Sequence, residues 1–382
     1  MKRSVDVDAV RGFALLGIFV VNVTFMASAY PGNLTVDPRF ASAADEVVRV
    51  LSSVLVDMKF YVLFSFLFGY SFTLQMDAAA RAGAAFSGRM LRRIAGLFLI
   101  GALHTAFLYG GDVLTTYSMA CLILFLMRHV RDSIAIRVAV VLYAIVLLSM
   151  VLSALFVDAS AWLPDPAAAQ ATAAAETARM AAGGWEAHIA HNIGGLWLVL
   201  LNAVSVQGPT ALAMFLLGMV AGRRGLLTGV RGDEPVLRRL QWIGFPLGLA
   251  GGLAYAFGGG NGSSLAAAAS VATAPLLTAA YVATLLRAMH RWAAVRQCLA
   301  PAGRMALSNY LGQSVIGMLI FTGVGLGLAG TFPPGALMLL AVIVFAAQVA
   351  VSALWLRHFR YGPAEWSLRW LTNAHRPPIH AT

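Results

Sequence analysis

Long apolar runs separated by short polar clusters dominate the pattern of this chain. A helix needs about 20 apolar residues to cross the hydrocarbon core of a bilayer. Ten runs reach or approach that length, at roughly 10–29, 58–76, 93–110, 113–128, 138–157, 201–222, 241–258, 265–286, 305–329 and 336–356. They predict an all-α, polytopic membrane bundle of about ten transmembrane helices. Between them, "DEVVRVLSSVLVD" at 45–57 predicts an interfacial helix ahead of the second span. "HIAHNIGGLWLVLL", which begins at His188, predicts an interfacial or re-entrant approach to the sixth. The Ala-rich stretch within 158–192 predicts a weakly specified helix on the surface.

Charge supports the count of spans. Clusters such as Arg89, Arg92 and Arg93, then Arg128, Arg131 and Arg137, then Arg223, Arg224, Arg231, Arg238 and Arg239 fall between alternate spans, on one predicted side. Lys2, Arg3 and Arg11 start that side, and Arg357, Arg360, Arg369 and Arg376 end it. Arg39, Arg49 and Arg179 depart from the pattern, and Lys59 lies at a span end. The other side holds Asp37, Asp45, Glu46, Asp158, Asp165, Glu176 and Glu186. By the positive-inside rule both termini are cytoplasmic. The chain then divides into a five-helix part at 1–157, an outer loop with an interfacial helix at 158–200, and a second five-helix part at 201–382 with an amphipathic cytoplasmic tail. These form one integrated membrane domain.

Composition agrees, with 60% hydrophobic and 11% charged residues. A soluble domain carries about 25% charged residues. The net charge of +11 is dispersed among the loops, which argues against a nucleic-acid partner and for the lipid bilayer. Cys121 and Cys298 show no disulfide or metal spacing. "ASA" at 27–29 resembles a signal-peptide cleavage site, but Asp6, Asp8 and Arg11 crowd the preceding segment and Asn22 interrupts its apolar core.

Ionisable groups inside a membrane are costly and face the bundle interior or water. His104 is the most telling of them. It lies ~17 Å along the third span, near the midplane, where an imidazole has no need of structural origin and is suited to proton transfer. Asp112 is expected at the outer end of that span, where it also suits the N-terminus of the next helix. Asn22 belongs to the outer half of the first span, and Asp57 and Lys59 to the outer start of the second. Asn22 alone reads as a helix–helix hydrogen bond, and Lys59 as a residue able to snorkel. Asn309 and Gln313, four apart on one helix face, read as helix–helix contacts. His188 and His191 lack a third ligand nearby, so no metal is expected.

Six ordered motifs carry a resemblance over the whole length: "VDAVRGFALLGIFVVNV", "DMKFYVLFSFLFGYSF", "GALHTAFLYGGDVLTTYS", "MFLLGMVAGRRGLL", "GRMALSNYLGQS" and "YGPAEWSLRWLT". They resemble the YeiB-like family of bacterial inner-membrane proteins, whose C-terminal part is a domain of unknown function. The N-terminal third is also similar to a transmembrane acyltransferase superfamily that includes heparan-α-glucosaminide N-acetyltransferase. The shared pattern is Asp8, Arg11 and Gly12, then Asn22, then Asp57 before "FSFLFG". The resemblance implies acetyl-CoA or another acyl-CoA as donor, bound from the cytoplasm, and an acceptor reached from the other side. That acceptor would be a sugar, a glycolipid or a small metabolite. The lysosomal enzymes carry a candidate histidine in the loop before the second span, whereas no His stands between Asn22 and Asp57 here.

The expected chemistry is acyl transfer. Arg11, Arg92, Arg93 and Arg304 would hold the donor phosphates. His104 would act as general base, Asp57 or Asp112 would orient it, and Asn22 would donate to the developing oxyanion. The alternative is a proton-coupled transporter of a small metabolite or lipid, since buried His and Asp also serve proton relays. A homodimer is compatible with either.

Overall fold

The computed structural model describes residues 5–30, 35–81, 83, 85–157, 165–228 and 234–380. Lys2, Arg3, Asp158 and Arg231 lie outside these. The described residues are helical almost throughout, and their one β-bridge joins Phe359 to His380. Eight helices, counted with their continuous extensions, are long and apolar enough to cross a membrane, and two shorter apolar helices, Leu114–Leu126 and Ala306–Phe321, lie where the other two spans are expected. The protein is thus an all-α, multi-pass membrane bundle.

In chain order the helices are α1 (Val5–Ala27), α2 (Ala43–Leu55), α3 (Lys59–Arg81), α4 (Phe86–Phe107), α5 (Leu114–Leu126), α6 (Asp132–Phe156), α7 (Pro166–Ala182) and α8 (Trp185–Gly194). They continue with α9 (Leu196–Asn202), α10 (Gly208–Arg223), α11 (Pro235–Phe257), α12 (Ser264–Arg291), α13 (Ala293–Arg304), α14 (Ala306–Phe321), α15 (Pro334–His358) and α16 (Pro363–Asn373). The basic clusters meet in space at one end of the bundle. There Arg223 bonds Asp132 at 3.0 Å and the Arg128 carbonyl at 2.7 Å, and Arg296 faces Asp6 at 3.6 Å. Along the apolar belt Val140, Ile145, Leu148 and Leu155 of α6 are exposed, as lipid-facing residues are.

Helices in lipid gain little from hydrophobic association, so close packing through small residues carries more of the stability. At the α3–α10 contact a Cβ on Gly69 would lie 2.0 Å from the Phe215 carbonyl, and one on Gly218 would lie 2.0 Å from that of Phe66. The same device joins the two halves of the chain, since a Cβ on Gly12 of α1 would lie 2.3 Å from the Leu299 carbonyl of α13. The helix α1 also packs on α14 and α15, so the N-terminal and C-terminal parts share one core.

The expected interfacial helix at 45–57 is α2, started by a capping box in which Ser42 and Asp45 bond reciprocally. The expected approach segment is α8 and α9, joined to α10 through one π-helical turn at Ala203–Gln207. Pro209, two residues after that turn, has no N–H to donate to the carbonyl four residues back, and the Gly208 N–H bonds the Ala203 carbonyl, five back. The Ala-rich α7 is more firmly placed than its composition suggests. Asp165 caps it, Thr177 accepts the Ala29 N–H at 3.1 Å, and the Met180 carbonyl accepts the Gly323 N–H at 2.9 Å. It closes the end of the bundle opposite the basic one.

Candidate functional site

One short helix shapes the centre of the bundle. α5 has 13 residues, about 20 Å, too few to cross the hydrocarbon core. Its basic end is level with the start of α4, where Arg128 reaches Ser87 at 3.5 Å. Its other end therefore stops level with about Gly101, short of the end of α4, and the turn at 108–113 folds back toward His104. Gly101 makes the approach possible, for a Cβ there would lie 2.6 Å from Thr115 Oγ1 and 2.9 Å from Asp112 Oδ2. Asp112 thus sits beside His104, deep in the bundle. The sequence placed it after the third span, at the N-terminus of the next helix, and there it caps α5; His104, placed near the middle of its span, lies instead in the last turn of α4.

The Asp112 carboxylate is held on two sides. Its Oδ2 accepts the Thr115 N–H at 2.8 Å and the Thr115 hydroxyl at 2.9 Å, capping α5. Its Oδ1 lies 3.0 Å from His104 Nδ1, with the side chains 2% and 0% exposed. The approach is too oblique for a straight N–H···O bond, so the pair is held chiefly by charge and dipole. On the far side of the ring, His104 Nε2 lies 2.7 Å from Ser314 Oγ of α14. Carboxylate, imidazole and hydroxyl therefore form one buried line across the two halves of the chain. In such a line the imidazole can take the hydroxyl proton while the carboxylate holds the ring and stabilises its charged form. Ser314 was not anticipated from sequence.

Tyr310, one helical turn before Ser314, closes the line from below. Its ring lies 5.0 Å from that of His104, and its hydroxyl makes two long contacts, 3.5 Å to Asp112 Oδ1 and 3.4 Å from the Val113 N–H. Above, α8 covers the α4–α5 turn, with His188 Nε2 3.2 Å from the Phe107 carbonyl and Asn192 accepting the Gly110 N–H at 3.1 Å. His188 and Asn192 thus act as a cover, and His191 pairs with Glu176 at 2.5 Å.

A cavity of about 530 Å³ runs from the basic end up to Tyr310 and Val113. Its walls are apolar, including Phe64, Leu67, Phe68 and Leu97, whereas Arg11, Arg81, Arg93, Arg304 and Arg369 line it as well. Arg81 and Arg369 are exposed at its mouth, and Arg11 is tied to Asp8 at 2.7 Å and to Ser71. Arg93 is half-buried and has no hydrogen-bond or ion-pair partner among the described residues. α16 forms one wall of the cavity. Glu365 anchors that helix by accepting the Leu307 N–H at 2.7 Å and the Ser308 hydroxyl at 2.5 Å. The cavity opens at the basic end, and neither His104 nor Asp112 lines it.

The other expected residues lie elsewhere. Arg92 is exposed outside the cavity and donates to the Thr372 carbonyl at 3.0 Å, because adjacent helical residues face different directions. Asp57 lies at the break between α2 and α3, bonded by Ser53 at 3.2 Å, and borders a separate pocket at the opposite end. It cannot orient His104, a place that Asp112 occupies. Lys59 does not snorkel: it is buried and donates to the Ser53 carbonyl at 2.9 Å. Asn22 is half-buried and has no hydrogen bond to His104. Asn309 and Gln313 tie α14 to α15, through Ser352 at 3.0 Å and Gln348 at 3.0 Å.

The chain is 30% identical over 390 residues to the uncharacterized protein YxaH of Bacillus subtilis, covering 97% of this chain and 94% of that protein. It is 29% identical to the uncharacterized protein YeiB of Escherichia coli, with both chains covered in full. Residues 221–375 match a family described as a protein of unknown function (DUF418), a stretch that includes Tyr310, Ser314 and Arg369 but not His104 and Asp112. From end-to-end similarity to these relatives, the chain belongs to the YeiB-like family.

Proposed function

We propose that this protein is a transmembrane acyltransferase, taking an acyl group from acyl-CoA at its basic end and passing it to a hydroxyl or amine. The observation that carries this reading is the cavity, with arginines along it and the buried carboxylate–imidazole–hydroxyl line just beyond its inner end. Guanidinium groups match phosphate geometry and suit the nucleotide part of the donor. The apolar walls suit a pantetheine arm and a short acyl chain. His104 is then the base at the reacting centre. The basic end faces the cytoplasm of a bacterial inner membrane by the positive-inside rule, which matches a cytoplasmic donor. A sugar, a glycolipid or a small metabolite is the acceptor class.

Calorimetry of the purified protein with acetyl-CoA and a longer acyl-CoA tests the reading. Saturable binding, with release of the CoA thiol when an acceptor is supplied, is expected. If neither donor binds, the acyltransferase reading fails. Flux of an unmodified metabolite across proteoliposomes would then point to a carrier.

A further inference from the structure

We infer that Ser314 is a catalytic nucleophile that carries the acyl group as an ester between donor and acceptor. This rests on the acyltransferase reading and deepens it. Three observations lead to it. Ser314 Oγ is 2.7 Å from His104 Nε2, the geometry of a hydroxyl activated by a base. Asp112 lies at the other ring nitrogen and is itself fixed by Thr115, so it favours the proton on Nδ1 and leaves the Nε2 lone pair toward Ser314. Ser314 is also on the helix face that the cavity already reaches, four residues or about 6 Å beyond Tyr310.

Tyr310 is the barrier between cavity and nucleophile. Its hydroxyl is held only by contacts of 3.4 and 3.5 Å, at the weak end of hydrogen bonding, so packing rather than hydrogen bonding keeps the ring in place. A rotation of that ring extends the cavity to the Oγ. A membrane-buried relay of this kind has a clear advantage over direct transfer. Donor and acceptor need not occupy the site together, so each can approach from its own side.

In the first half-reaction Ser314 Oγ attacks the thioester carbonyl carbon, and its proton passes to His104 Nε2. The C–O bond forms, the C–S bond breaks, and the CoA sulfur leaves with the proton from His104. In the second, His104 takes the proton of the acceptor hydroxyl or amine, whose O or N bonds the acyl carbon. The bond to Ser314 breaks and Oγ recovers the proton. No redox partner enters.

Acetyl-CoA and a longer acyl-CoA would be mixed with the detergent-purified protein without acceptor. The mixture is quenched in acid, digested and analysed by mass spectrometry, with donor binding followed by calorimetry in parallel. The expected result is an acyl adduct on the Ser314 peptide. It should be absent from Ser314→Ala and His104→Ala, both of which still bind donor within about twofold. Thiol release by Ser314→Ala should fall by about a thousandfold or more. Ser314→Cys guards against a folding defect, since a correctly placed thiol would trap the same group as a thioester. Donor binding by the wild type with no adduct, or unchanged thiol release by Ser314→Ala, overturns the covalent step and leaves the acyltransferase reading in place. Absence of donor binding by the wild type overturns both.

Discussion

Arg92 and Arg93 provide a sharp test of the cavity, because they are neighbours in sequence with opposite surroundings. Arg93 lines the cavity without a hydrogen-bond partner among the described residues, whereas Arg92 lies outside it and bonds the Thr372 carbonyl. A charge-assisted hydrogen bond contributes about 1.5–3 kcal/mol. Loss of one such bond to a donor phosphate therefore weakens binding by about 10- to 150-fold. Arg93→Ala should lose acyl-CoA affinity by that factor. Arg92→Ala should lose less than about twofold, the remainder of long-range attraction after screening. Arg93→Lys should fall between them, because the ammonium keeps the charge but not the planar fork. Calorimetry at low and high salt is the assay, with CoA and acetyl-CoA titrated side by side. Equal losses for the two alanine variants would refute the reasoning, since the cavity would then not select the arginine it encloses. A loss confined to Arg92→Ala would move the donor to the outer surface of α16.

Other expectations follow from single contacts. Gly101→Val places a methyl-bearing carbon within 2.9 Å of Asp112 Oδ2 and closer to Thr115, so α5 must move away from α4. Overpacking of this kind costs about 1–3 kcal/mol, to be read as a lowered Tm together with lost thiol release. Glu365→Ala removes the anchor of α16 on the Leu307 and Ser308 N–H groups and the Ser308 hydroxyl, worth about 1–2 kcal/mol. Faster hydrogen exchange across Pro363–Asn373 is expected, and unchanged exchange would show that the wall of the cavity is held by other contacts. Asp37 supplies a pH signature at the end opposite the basic one. Burial opposes its ionisation, but hydrogen bonds from the Arg39 side chain and backbone, and the guanidinium charge, outweigh burial and hold its carboxyl below 3.8. The stability from this pair is present above the unfolded value and is lost as pH falls through the lower folded one. Asp37→Asn should therefore lower Tm slightly at neutral pH, and the difference should shrink as pH falls below the unfolded value and vanish below the folded one.

The helical bundle was open to a reading of the sequence because its cause is local. Each apolar run is long enough to meet the backbone requirement of lipid on its own, and the arginine clusters mark the ends. His104 and Asp112 stood out because ionisable groups among apolar neighbours are costly wherever they lie. Their relation was harder to read. Counting at a fixed rise puts Asp112 eight residues, about 12 Å, beyond His104. The depth of the turn is set instead by the shortness of α5 and by the bare Cα of Gly101, and neither has meaning until the two helices pack.

Ser314 had still less of a signature. A hydroxyl in an apolar helix is common glue between helices, and its partner lies 210 residues away in sequence. Only the folded bundle, in which α14 packs on α1 and α16, brings it to Nε2. The separation of Arg92 from Arg93 is also a matter of helix rotation rather than composition, since successive residues turn by about 100°. A chain of this kind declares which of its residues are expensive to bury, and the fold then decides which of them meet. Here the costly pair His104 and Asp112 comes from one half of the chain, whereas Ser314 and Tyr310, unremarkable in sequence, come from the other. A site assembled across halves that share one core depends on both being folded. Substitutions at the Gly12–Leu299 contact between α1 and α13 should therefore disturb it, although no atom of that contact touches His104.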